Sequence, residues 1–203
     1  MVWLAEMAKG FREAANVIDE IIEIKMTINA NGNATKKDVR RLSELMKEYE
    51  EGEKPERKKR ILLTGCPSSG APMKVVKAIE EHGGNVVVYE NCGGAKSVDR
   101  LIDEDAEDIY KAIAERYLAI GCSVMTPDNN RIELMGRLLE EYNIEGVVEM
   151  TLQACHTYNV ETNTIRKFVT GEKGIPYISV ETDYSQADIG QLNTRLAAFV
   201  EML

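Results

Sequence analysis

Cysteine is scarce in this chain, and it never occurs in local pairs. Its four cysteines, Cys66, Cys92, Cys122 and Cys155, are separated by 26, 30 and 33 residues. A closed zinc site usually draws on short C-x₂₋₄-C pairs, so a zinc ribbon is a poor match. Long apolar runs are also missing. Asp19 and Glu20 interrupt the apolar stretch near the start, and nothing approaches the roughly 20 apolar residues that a membrane helix needs. No export signal is read, so a reducing, cytoplasmic setting is expected, where cysteines act more often as ligands or catalytic groups than as disulfides.

An excess of basic charge is absent too. The formal net charge is −9, divided as +1 over residues 1–60 and −10 over residues 61–203. So acidic a main body argues against a nucleic-acid footprint. The single basic block, Arg57-Lys58-Lys59-Arg60, reads as a solvated linker entering a strand. Internal repeats and low-complexity segments are lacking. The turn Gly65-Cys66-Pro67-Ser68-Ser69-Gly70 leads from strand to helix and could offer backbone amides to an anion. It lacks the Lys-Ser/Thr of a Walker loop and is not a dinucleotide fingerprint.

What is present is a regular rhythm after residue 60. Short β-branched runs predict strands at 60–65, 85–90, 146–151 and 176–181. Amphipathic stretches predict helices at about 71–83, 105–118, 130–143, 158–171 and 187–202. Alternation of this kind indicates a parallel α/β sheet of flavodoxin or Rossmann type, with strand order 2-1-3-4 expected over residues 60–203. The long connection before the third strand has room for a short extra strand near 122–127. Residues 1–55 read as a helical appendage. Trp3, Leu4, Met7, Phe11, Ile18 and Ile22 recur at helical spacing, and a second helix begins near Thr35. The exposed apolar side chains of such an appendage, Trp3, Phe11 and Ile18, are expected to drive self-association or disorder.

Cys66, Cys92 and Cys155 each directly follow a predicted strand. In a parallel sheet the carboxyl ends of the strands share one edge, where ligands bind. Thiolates gathered on that edge point to zinc or an iron–sulfur cluster; buried structural thiols are the plain alternative. His156 adjoins Cys155. On extended backbone the two would face opposite ways, which leaves His156 a proton-handling or structural role. His82 ends a helix before Gly83-Gly84, a place that favours a cation. Glu181 and Asp183 follow the last strand on the same edge, and Asp183 or Ser185 could instead cap the final helix.

Five segments, in order, carry a family likeness: Leu63-Thr64-Gly65-Cys66-Pro67, Tyr89-Glu90-Asn91-Cys92-Gly93-Gly94, Cys122-Ser123-Val124-Met125-Thr126-Pro127, Leu152 through Glu161 with its Cys155-His156-Thr157-Tyr158, and Ile178 through Ser185. In these the chain resembles the 2-hydroxyacyl-CoA dehydratase superfamily, which includes D-component-like proteins, benzoyl-CoA reductase subunits and double-cubane cluster proteins. The last branch is the nearest match. The resemblance implies an oxygen-sensitive iron–sulfur protein of anaerobes that receives single electrons from an ATP-hydrolysing iron–sulfur activator. Dehydratase members act as lyases on acyl-CoA substrates, and reductase members as ATP-dependent oxidoreductases. It carries over Cys92, Cys122 and Cys155 as ligands of a 4Fe-4S cluster or part of a double cubane, with Cys66 the weaker candidate. His156 and Glu181 are the catalytic candidates. Members of this type have an additional amino-terminal α/β domain, whereas this chain has no cysteine before Cys66. It is therefore expected to be a fragment, a half-length protein or one piece of a split pair. It would need a companion domain or subunit in a homo- or hetero-oligomer. The competing expectation is a cluster-free truncated or interaction domain with no activity alone.

Overall fold

The computed structural model describes residues 40, 41, 43, 44, 47, 57–67, 71–125 and 127–203. The chain divides into two compact units, residues 1–56 and 57–203. The helices expected at 1–28 and from Thr35, and the apolar surface expected on Trp3, Phe11 and Ile18, lie outside the described residues, except that residues 40, 41, 43, 44 and 47 are helical.

The second unit is an α/β fold in chain order β1 (Lys59–Gly65), α1 (Ala71–Glu81), β2 (Gly84–Glu90), α2 (Ala95–Val98), α3 (Ile109–Leu118), α4 (Asn129–Glu141), β3 (Gly146–Leu152), α5 (His156–Arg166), a π-helical turn (Lys167–Glu172), β4 (Tyr177–Thr182) and α6 (Ile189–Met202). The four strands form one sheet in the order β2-β1-β3-β4, and every pair is parallel. That is the expected architecture and strand order.

Alternation along β1 divides the core into two halves. Ile61 and Leu63 face one side, packing on Val75, Ile79, Leu192, Leu196 and Phe199 of α1 and α6. Leu62 faces the other side, against Leu134, Met135 and Leu138 of α4 with Ile165, Phe168 and Val169. Successive side chains of a strand point to opposite faces, so one strand feeds both halves. A sheet buried on both faces explains why these strands read as continuous apolar runs.

Several boundaries differ from expectation for local reasons. Helix α3 starts at Ile109, because the Asp108 side chain caps it, accepting from Tyr110 N at 3.0 Å and Lys111 N at 3.1 Å. Among the described residues near 122–127 there is no strand; Met125 N donates to Cys122 O at 2.8 Å and closes a turn. The basic block is not merely a linker. Lys59 and Arg60 open β1, where Lys59 Nζ donates to Leu203 O at 2.8 Å and Arg60 Nε to Tyr142 O at 2.6 Å. Neither Asp183 nor Ser185 caps α6. Asp188 holds that position and directs its carboxylate to Lys74 at 2.5 Å and Thr182 at 2.5 Å.

Candidate functional site

Strand order 2-1-3-4 sends the chain to opposite sides of β1, which puts the topological switch point of the sheet between the carboxyl ends of β1 and β3. Two cysteines flank it. Gly65 ends β1 at φ +106°, and a Cβ there would lie 2.1 Å from Met150 O. Only glycine permits this turn. It delivers Cys66 beneath the β3–α5 connection, where it is 1% exposed. The Leu152 peptide joins the two cysteines: Leu152 N donates to Cys66 Sγ at 3.2 Å, and Leu152 O accepts from Cys155 N at 2.9 Å. Between them Ala154 adopts a left-handed φ of 65°.

Cys155 is the N-cap of α5, and its backbone is not extended, with φ −80° and ψ 86°. Helix α5 thus begins at His156, two residues earlier than the periodicity predicts. The premise that Cys155 and His156 share extended backbone does not hold. The two thiols differ sharply. Burial pushes the Cys66 thiol up to about 11. Partial burial also acts to raise Cys155, but hydrogen bonds outweigh it and hold the thiol below its ordinary value. They come from Tyr158 N, the Thr157 hydroxyl, the Cys66 thiol and Thr157 N. Amides at a helix start favour a thiolate in this way.

Two further cysteine loops reach the same helix start. After β2, buried Asn91 leads into exposed Cys92, and Gly93 N and Gly94 N donate back to Asn91 Oδ1 and O at 3.1 and 3.0 Å. Cys92 lies close enough to the buried Tyr158 phenol to help raise it above its ordinary value, after burial itself. Half-buried Cys122 follows Gly121, where a Cβ would come within 2.6 Å of Arg131 N. That close approach seats the Cys122 loop on the first turn of α4. Its neighbour Ser123 meets Thr157 at 3.3 Å between hydroxyl oxygens, and Thr157 Oγ1 lies 3.6 Å from Cys155 Sγ. Thr157 therefore links the Cys122 loop to Cys155, and Cys92 neighbours Tyr158 of the same helical turn. His156 is exposed at the first residue of α5. Exposed Glu181, at the end of β4, accepts from Asn159 Nδ2 at 3.5 Å. Among the described residues no group of three His, Cys, Asp or Glu side chains is already gathered around a single metal position.

Under this edge lies a buried charge network that sequence reasoning missed. Strand register aligns Glu90 of β2, Thr64 of β1 and Glu149 of β3 in one row. Arg131 of α4 spans the row. Its Nε donates to Glu90 at 3.3 Å, one terminal nitrogen to Thr64 Oγ1 at 2.9 Å and to Glu149 at 3.2 Å, and the other to Glu161. Thr64 donates to Glu90, and the Tyr177 hydroxyl to Glu149. Lys96 Nζ lies 3.1 Å from Glu90 Oε1, yet that oxygen accepts no hydrogen bond. The contact is best described as Coulombic. Burial acts to lower Arg131, but Glu90, Glu149 and Glu161 outweigh it and keep the guanidinium charged. Asp128 caps α4 through Arg131 N at 3.3 Å, and its other oxygen is buried without a partner. Burial, with Glu161 adding to it, pushes Asp128 up to about 6. The only advance signal was the presence of charged residues inside apolar strands; nothing local tied Lys96 or Arg131 to them.

Residues 12–203 match the model of the 2-hydroxyglutaryl-CoA dehydratase, D-component, family. Over 156 residues the chain is 53% identical to the Escherichia coli (strain K12) protein named "Putative dehydratase subunit YjiM", covering 77% of this chain and 40% of that protein. It is 25% identical to the (R)-phenyllactyl-CoA dehydratase beta subunit of Clostridium sporogenes, covering 81% and 43% of the two chains. With a benzoyl-CoA reductase subunit of Thauera aromatica it shares 23% identity, over 75% and 36%. The chain spans less than half the length of each of these relatives. An α/β sheet with cysteine loops at its carboxyl edge, matched along nearly the whole chain, makes this protein a member of the 2-hydroxyglutaryl-CoA dehydratase D-component family.

Proposed function

We propose that residues 57–203 hold an iron–sulfur cluster on Cys92, Cys122 and Cys155 and handle low-potential electrons delivered by an ATP-hydrolysing partner. The observation that carries this reading is the meeting of the Cys122 and Cys155 loops at the first turn of α5 through Thr157, with Cys92 close to Tyr158 of the same turn. The donor chemistry fits. Soft thiols suit iron–sulfur ligation, and Cys155 already sits in hydrogen bonds that stabilise a thiolate. A four-iron cluster holds its thiolates apart across a cube, so it does not need them packed around one ion. When bound, such a cluster supplies one-electron transfer at low potential and, with three cysteine ligands, one open iron.

The protein's own groups do the rest. The helix start stabilises anionic sulfur. His156, next to Cys155 in the chain, and Glu181, which meets Asn159 of α5, are the exposed candidates for moving a proton at this edge. Cys66, buried and hydrogen-bonded to Leu152 N, supports the turn beneath. A companion domain or subunit completes the site, and the reaction is a dehydration of a 2-hydroxyacyl-CoA type or an ATP-dependent reduction. A second reading is a cluster-free truncated or interaction domain of the same superfamily, with no activity alone.

Anaerobic reconstitution with iron and sulfide separates the two. Bound iron and sulfide with the optical and EPR signature of a cluster are expected. Cys92→Ala, Cys122→Ala or Cys155→Ala should abolish it, and Cys66→Ala should leave it largely intact. If the triple replacement takes up the same iron and sulfide, the ligand assignment fails.

A further inference from the structure

Helix α3 contributes nothing to the core, and none of its residues is buried. Arg116 ties it to the body, with Nε donating to Arg100 O at 3.0 Å and a terminal nitrogen donating to Ser97 O. Between α3 and residues 100–108 lies an open groove of about 930 Å³. Ala106, Ala112 and Ala119 line it and leave room for incoming side chains. Large apolar groups border it, with Leu101 91% and Tyr110 82% exposed. One exposed apolar residue is ordinary, whereas several around one groove mark a contact. The rim is acidic. Asp103, Glu104, Asp105 and Glu107 are exposed and form no ion pair among the described residues, while Lys111 is already paired with Glu115 at 3.8 Å. Residues 61–203 carry −10 in all, so the wider field has the same sign.

We propose that the groove between α3 and residues 100–108 docks an amphipathic helix of the electron-delivering partner, its apolar stripe on Leu101 and Tyr110 and its lysines or arginines against the acidic rim. Naming the partner an electron donor rests on the cluster reading above; the docking chemistry stands without it. An apolar stripe laid in a groove supplies affinity, with tyrosine a frequent anchor. Opposite charges at the rim steer the approach and reject wrong partners. A second copy of this chain would bring the same acidic rim, and like charge opposes it. Position suits the role. The exposed apolar surface of α3 continues through Tyr117 and Leu118, and Leu118 stands four residues before Cys122. Ser97, which Arg116 holds, lies in α2, and α2 begins three residues after Cys92. A partner seated here adjoins both cysteine loops.

The test uses the full chain and a synthetic amphipathic helix of leucine and lysine about 18 residues long, with a leucine and glutamate helix of equal length as control. Fluorescence anisotropy should show binding of the lysine peptide alone, and rising salt should weaken it. Leu101→Gln combined with Tyr110→Gln should weaken binding about tenfold or more. Neutralising the rim with Asp103→Asn, Glu104→Gln, Asp105→Asn and Glu107→Gln should do the same. All six side chains are exposed, so far-UV circular dichroism should match wild type. Binding that both variants leave unaltered overturns the proposal, because a cationic peptide held anywhere on an acidic protein would behave that way. Sedimentation in which the wild-type chain pairs and the Leu101/Tyr110 variant does not also overturns it, in favour of a second copy. A nitroxide on the bound peptide should relax faster beside the reduced cluster, and unchanged relaxation in the cluster-loaded protein overturns the assignment to an electron donor. If the peptide docks as expected but no cluster loads, the docking surface stands and the cluster reading falls.

Discussion

Two thiols joined through one peptide show how surroundings set reactivity. Cys66 is enclosed by the core, where losing a proton leaves a charge away from water; Cys155 stands at a helix start that welcomes that charge. In the cluster-free protein, iodoacetamide should therefore label Cys155 well before Cys66. Peptide mass spectrometry reads the order, and equal rates in the folded protein would contradict the environments described. Asp128 gives the second residue-scale prediction. Its folded value of about 6 lies above the ordinary 3.8, so the folded state keeps a proton that the unfolded chain releases. Stability should then fall as pH rises from about 4 through about 6 and level off above. Asp128→Asn retains a capping oxygen and removes the charge. It should abolish that decline and stabilise the protein by about 1 kcal/mol above pH 7, a figure reduced for solvent screening. Denaturant unfolding of both proteins across this pH range checks the sign.

At the scale of elements, Arg131 ties α4 to β1, β2, β3 and α5 through side chains that are nearly all inaccessible to water. Breaking such a network by removing one partner is costly because the others remain buried and charged. Arg131→Met should lower stability by roughly 3–5 kcal/mol, read as a shift in denaturant midpoint. Because the Cys122 loop rests on the same turn of α4 through Gly121, this variant should also weaken cluster loading. A drop in stability below about 1 kcal/mol would show that the carboxylates reach water or share protons once the guanidinium is gone.

For the whole molecule, the relevant fact is extent. The chain spans less than half the length of its relatives, and the proposed cluster edge presents exposed Cys92, His156 and Glu181. The cluster-loaded chain alone should therefore show little or no turnover of a 2-hydroxyacyl-CoA substrate, even with ATP and an activator ATPase. Addition of a companion domain or subunit should restore it. Robust ATP-driven reduction by this chain and the activator alone would show that no companion is needed. No helix among the described residues is long and apolar enough to cross a membrane.

The sequence by itself determined the sheet. Strand and helix periodicity, with right-handed connection rules, leads to order 2-1-3-4 because a doubly buried strand must be apolar on both faces and a surface helix on one. It also placed Cys66, Cys92 and Cys155 after strands, since a parallel sheet sends all its carboxyl ends to one edge. Only the tertiary structure decided what those positions are. Cys66 and Cys155 look alike in the chain, but the Gly65 turn buries one and the start of α5 presents the other. Helix α5 begins at His156 because the left-handed Ala154 ends the strand abruptly, which periodicity cannot register. The Arg131 network was invisible for a similar reason. Arg131 and Thr64 are 67 residues apart, whereas hydrophobic periodicity and capping rules reach only a few. Charged residues inside apolar strands announce that a partner exists; only packing the helices onto the sheet shows that the partner is Arg131.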